Sequence, residues 1–303
     1  MSGVAASAES GSRRIGQLGQ AMTIVRYALQ ESLRRRVLPV VAVLTLIFLV
    51  LYALGAHFAF KEVSDSREVG FGVEIDDRSL AGSTLLGLAM FATLFLGAII
   101  STFLTLGVIR GDAESGLLQP IAVRPISRTT ILVARFAGAA LVSVVYVTVV
   151  FLLAVLITKI AGDFTPDRLF TATFELAAAV AVITCISVLA SAFTSSTAQG
   201  ITVLMLFGAG LTSGLLGQIG DALDSGTLVD ISELASKVLP FEALYQDGLF
   251  SLTADISGAT GYLLSLGPFG GAVESGPGLL VWAVVYCAAL IAIAAALFRR
   301  RDL

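Results

Sequence analysis

The chain has 303 residues, of which 56% are hydrophobic and only 14% charged, and its mean hydropathy is +0.92. A soluble domain carries roughly 25% charged residues, and a chain this apolar cannot cover its own surface, so a soluble globular protein is excluded. The net charge of −3 says little alone, because in a membrane protein the placement of Lys and Arg matters more than their sum.

Residues 1–21 are rich in Ser, Ala and Gly and predict a mobile tail. In 22–36, Met22, Val25, Leu29 and Leu33 recur at helical spacing on one face with Ala28 beside them, while Arg26, Gln30 and Arg34 lie on another. That pattern predicts an interfacial helix whose Arg26, Arg34, Arg35 and Arg36 face anionic headgroups. The competing reading is a cytosolic extension of the first span, which Pro39 opens. The first apolar run is long enough for a full span rather than a short signal core, so no secretory signal is expected.

Five stretches of more than twenty residues contain no Asp, Glu, Lys or Arg: 37–60, 79–109, 136–158, 176–220 and 275–298. A span needs about 20 apolar residues at about 1.5 Å rise each. Four of these stretches hold one span each, near 38–58, 85–109, 136–158 and 278–298. The stretch 176–220 is long enough for two, and polar Thr194, Ser195, Ser196, Thr197 and Gln199 divide it, giving spans near 171–193 and 200–216 around a tight turn. The predicted fold class is therefore all-α, a polytopic membrane protein with six transmembrane helices, and the transmembrane domain is expected over 22–303.

Basic and acidic connections alternate. Arg13, Arg14, Arg26 and Arg34 to Arg36 precede the first span, Arg110, Arg124, Arg128 and Arg135 follow the second, and Arg299 to Arg301 follow the sixth. The connections after the first and fifth spans are acidic, the latter with Lys237 as its single basic residue. Both termini are thereby expected on the cytoplasmic side.

The connection after the second span combines Asp112, Glu114 and Ser115 with Leu117 and Leu118, then Pro120 and Pro125. It predicts a short amphipathic helix at the membrane surface, stopped by Pro120, with Ser127 capping the helix of the third span. Such a helix suits docking on a soluble partner, and an ordinary basic loop is the alternative. Residues 218–277 face outside in this scheme. Asp230 with Glu233 three later reads as a capping-box-like start, Ile231, Leu234 and Val238 share a face, and Pro240 opens a second helix bearing Phe241, Leu244, Tyr245 and Leu249. Outer-surface helices that dip toward the membrane are expected, followed by a Gly-rich stretch at 261–278.

Catalytic chemistry is sparse. A phosphate-binding loop needs Gly-Lys-Ser/Thr, but the lysines are Lys61, Lys159 and Lys237 and none follows Gly. The one histidine, His57, reads as interfacial, which disfavours zinc proteases and His-dependent serine proteases. Cys185 and Cys287 fall within spans as small buried hydrophobes. The span cores carry no charged relay, Glu175 being the nearest case and lying near the outer end of the fourth span. An energy source on another polypeptide follows.

At this point the chain resembles the ABC-2-type permeases. Glu114, Gly116, Leu117 and Leu118 followed by Arg124-Pro125-Ile126-Ser127-Arg128 look like that family's signature, as do Leu239-Pro240-Phe241-Glu242-Ala243-Leu244-Tyr245 and the closing Phe298 to Leu303. Gln119-Pro120 departs from the pattern, which continues as a Leu-rich helix. The resemblance, from about Met22 to Leu303, implies a transport subunit with no catalytic, metal or cofactor site of its own. ATP and magnesium belong to a cytosolic ATPase partner, and a second permease subunit completes a dimer. It implies an ATPase-coupling interface at Arg110, Asp112, Glu114, Ser115, Gly116, Leu117, Leu118, Arg124, Pro125, Ser127 and Arg128, and an elbow helix over 22–36. It further implies an exporter in a bacterial or archaeal plasma membrane that binds no nucleic acid. A membrane scaffold or a channel not driven by ATP is the other function class.

Overall fold

The computed structural model describes residues 37–65, 76–106, 128–166, 168–254, 256, 260, 274–276 and 278–300. Among these the charge-free stretches form helices long and apolar enough to cross a membrane, six in number as expected. They are α1 (Val37–Asp65), α2 (Asp77–Thr105), α3 (Arg128–Gly162), α4 (Leu169–Phe193), α5 (Ser196–Ala222) and α8 (Gly278–Arg300). Two shorter helices, α6 (Gly226–Val238) and α7 (Pro240–Thr253), lie between the fifth and sixth spans. The fold is all-helical, and the short helices of the 218–277 segment are present as expected.

Several spans run past the limits set by hydropathy. α2 begins at Asp77 rather than 85 because Asp76 caps it. The Asp76 carboxylate accepts from the backbone N–H of Arg78 and Ser79, both at 3.2 Å, and from the Ser79 hydroxyl at 2.5 Å. The Ser79 hydroxyl is the main cause holding the Asp76 carboxyl below its ordinary range. The Asp76 N–H donates to Thr260 Oγ1 at 2.9 Å, tying this end of α2 to the chain beyond α7. α6 starts at Gly226, not Asp230: Ser225 holds the cap position, and Asp230 and Glu233 sit inside the helix, where Glu233 pairs with Lys237 one turn later at 3.3 Å. Pro240 does open α7, where its missing N–H costs no hydrogen bond.

α4 is the centre of the bundle. It packs against α2, α3, α5, α7 and α8, and its buried Leu176, Ala179, Val180 and Ile183 join Leu86, Met90 and Leu94 of α2 and Val147 and Phe151 of α3 in the main core. α2 is the next most buried, and α1 and α8 the least. The outward faces carry large apolar side chains, among them Leu46, Leu51 and Phe58 of α1, Ile160 of α3, Met205 of α5 and Val284 of α8. A water-facing surface of that kind would be a liability, whereas lipid is its proper solvent.

Small residues and hydroxyls set the contacts between spans. Gly97 of α2 lies where α2, α3 and α4 meet, and a β-carbon there would stand 2.6 Å from Val147 Cγ1 and 2.8 Å from Val180 Cγ2. α1 is held on α3 by two hydroxyl rungs. Tyr146 pairs with Thr45 at 2.5 Å, and Tyr52 with Thr158 at 2.6 Å. Bonds of this type contribute only about 0.6 kcal/mol on average, so packing and not hydrogen bonding dominates the bundle, with the rungs fixing the register of α1.

Candidate functional site

The two ends of the bundle differ. At one end the chain turns from α4 to α5 at Thr194 and Ser195, and α2 stops at Thr105. This is the end from which the proposed docking connection hangs. Arg128 is the first residue of α3 and so ends that connection. Arg110, Asp112, Glu114, Ser115, Gly116, Leu117, Leu118, Arg124, Pro125 and Ser127 lie outside the described residues, as do Arg26, Arg34, Arg35 and Arg36.

What the structure adds at this end is the anchor behind the connection. Gln199 belongs to the first turn of α5, not to the turn before it, and is fully buried. Its side-chain amide donates to the carbonyl of Thr105 at 3.0 Å and to that of Ser187 at 3.0 Å. Thr105 is in the last turn of α2, where carbonyls have no partner within the helix, so Gln199 caps α2 from another span. Thr105 and Ser187 join their hydroxyls at 2.6 Å, and Thr184 donates to Ser101 at 3.0 Å. α2, α4 and α5 are thereby joined by a polar network beside the end of α2, from which the connection to α3 departs. Sequence reading counted Gln199 among the polar residues of a surface turn, since only the tertiary partners reveal that it points inward.

The other end carries α6 and α7. α6 rests on α5, where Gly217 and Gly220 leave room for Ser232, Leu228 and Val229. The indole N–H of Trp282 on α8 donates to the Lys237 carbonyl at 3.1 Å and fixes the end of α6. α7 penetrates further. Phe241, Leu244, Tyr245, Leu249 and Leu252 are buried in the main core, and Phe207 of α5 stacks on Phe241 with ring centroids 5.7 Å apart. α7 packs most extensively on α4 and also touches α2, α5, α6 and α8.

This wedge brings acidic groups inside. Glu175, the seventh residue of α4, is 4% exposed, and Asp247 and Ser251 of α7 stand against it. Glu175 Oε2 has no hydrogen-bond partner, while Asp247 accepts the Ser275 N–H at 2.8 Å. Glu242, in the first turn of α7, is 3% exposed and bonded to the Gln246 amide at 3.0 Å. Sequence reading placed Glu175 near the outer end of the fourth span and expected the helices of 218–277 to dip toward the membrane, but it did not pair Asp247 with Glu175. Cys185 and Cys287 are free thiols. Among the described residues no group of three or more His, Cys, Asp or Glu is placed to hold a metal.

Five spans thus surround the central α4, with a helical wedge between the fifth and sixth. The family model described as ABC-2 family transporter protein matches residues 22–303. The chain belongs to this ABC-2 family. It is a multi-pass membrane protein of a transporter family. No curated protein matches the chain in sequence. In this ABC-2 protein Leu239 caps α7 and Pro240 to Tyr245 begin it, and their side chains supply much of its buried face.

Proposed function

We propose that this chain is the permease subunit of an ATP-driven exporter, working as a dimer with a cytosolic ABC ATPase that supplies the energy. The observation that carries the reading is an ABC-2 family chain with no lysine after a glycine, hence no phosphate loop of its own. Hydrolysis therefore belongs to a partner with its own ATP and magnesium. The connection containing Glu114 to Arg128 is the surface offered to that partner, and Arg26 with Arg34 to Arg36 holds the entry helix in the headgroups. The network around Gln199 supports this role, because it gives the start of the connection a rigid mount on three spans. Movement of the docking segment would then be passed to α2, α4 and α5 together.

Two measurements test this. Affinity-tagged full-length chain purified from its native membranes should retain a soluble Walker-motif ATPase, and hydrolysis by the reconstituted pair should respond to transported compound. Substrate flux that needs no ATPase would support the channel reading instead. Orientation is tested separately. The Arg and Lys asymmetry puts α6 outside, so a cysteine replacing exposed Thr227 should react with an impermeant maleimide in intact cells. Reaction only after lysis would reverse the topology.

A further inference from the structure

Among the described residues no basic side chain offsets the burial of the Glu242 carboxyl on α7. On the face toward α5 the group is Glu242, and its carboxyl lies directly on the backbone at Gly214, where any β-carbon would collide with Oε1. Its hydrogen-bond partner is the neutral Gln246 amide, whose own Oε1 is buried with no partner. Beyond the carboxyl is a cavity of about 260 Å³ between α5, α6 and α7, lined also by Gly217, Gln218, Asp221, Ser232 and Glu233. Asp221 and Glu233 are exposed at its rim, so protons reach Glu242 from solvent. Three carboxyl groups thus share one cavity, and the nearby cation, Lys237, is engaged on the surface with Glu233.

We propose that Glu242 is a proton-controlled lock between α7 and α5: protonated, it seats α7 on Gly214, and ionised, it releases that face. The physical cause is the cost of a buried charge with no counter-charge. A neutral carboxyl fits the site without that cost, and its O–H has an acceptor in the Gln246 amide oxygen once the amide turns over. An ionised carboxyl is drawn toward the water of the cavity, against the pull of its contact with Gly214. Burial pushes Glu242 up to about 7, with the Gln246 amide acting the other way. Among the described residues, the other charged and titratable groups around it are Tyr245 on α7 itself, Asp221 from α5, and Glu233 with Lys237 from α6. Glu175 of α4 lies with Asp247 on the opposite face of α7, and exposed Glu274 precedes α8.

The direction follows from linkage. A carboxyl raised in the seated state binds its proton more tightly there than in the released state, where the ordinary value of about 4.5 returns. Release therefore becomes easier as pH rises from about 4.5 to about 7, by up to about tenfold per pH unit, and changes no further above that. The inference rests on the packing of α7 and not on the transport reading.

Hydrogen–deuterium exchange of the full chain in lipid nanodiscs reads it directly. With rates divided by those of an unstructured reference peptide, α7 amides of the wild type should lose protection by about tenfold or more between pH 5 and pH 7, then level off. Glu242→Gln should flatten that profile, and α3 peptides should show no such step in either protein. Gly214→Ala, which drives the carboxyl off α5, should expose α7 amides already at pH 5 and also flatten the profile. A wild-type profile without the step overturns the proposal. So does a step of equal size in Glu242→Gln or in Gly214→Ala.

Discussion

Gly97→Leu should leave little or no monodisperse protein after membrane extraction. The glycine sits at the crossing of α2, α3 and α4, with Val147 and Val180 already closer to an added β-carbon than side chains pack. Both neighbours are β-branched and stiff, and Val147 and Val180 belong to the main core, so a larger side chain at this crossing displaces core packing. Overpacking of this kind costs about 1–3 kcal/mol in adaptable cores and more where the neighbours are rigid. Gly55→Leu is the matched control. It lies on the outward face of α1 with nothing within 4 Å of its added β-carbon, and it should extract and melt as the wild type does. Equal behaviour of the two variants would show that the three-helix crossing does not limit the fold.

Glu114→Lys should separate ATP hydrolysis from transport while leaving insertion intact. The residue belongs to the connection proposed to meet the ATPase. Losing one side of a desolvated charge pair at an interface costs about 2–5 kcal/mol, enough to empty a micromolar complex. The charge lies outside the spans, so the reversed side chain does not burden integration into the membrane. Glu74→Lys, in the acidic connection after the first span, is the control. The readout is substrate-stimulated hydrolysis by the reconstituted complex. Wild-type behaviour of Glu114→Lys, or equal failure of both variants, would remove the coupling role from this connection.

The spans were legible because lipid imposes a rule that sequence displays directly: about twenty residues without charge, repeated. The same rule failed at their ends. Asp76 and Ser79 extend α2 beyond its apolar stretch by capping, a local contact that hydropathy does not register. Pro240 was readable as a helix start because the signal lies in one residue, whereas Asp230 misled because its partner Glu233 turned out to serve Lys237 within the helix. The polar interior was the least legible part. Gln199 and Glu175 look like edge residues along the chain, and they become interior ones only through Thr105, Ser187 and Asp247, which come from distant segments. The candidate coupling residues from Arg110 to Ser127 were named from an amphipathic pattern and from family motifs, and they lie outside the described residues.

The wedge made by α7 also sets an order for biogenesis. α4 leaves the ribosome with Glu175 on its flank, and the groups that cover that carboxyl, Asp247 and Ser251, are not yet synthesised. Nor is Phe241 present to fill the space beside Phe207. The burial of Glu175 and the packing beside Phe207 are therefore completed only by residues that follow the fifth span in the chain.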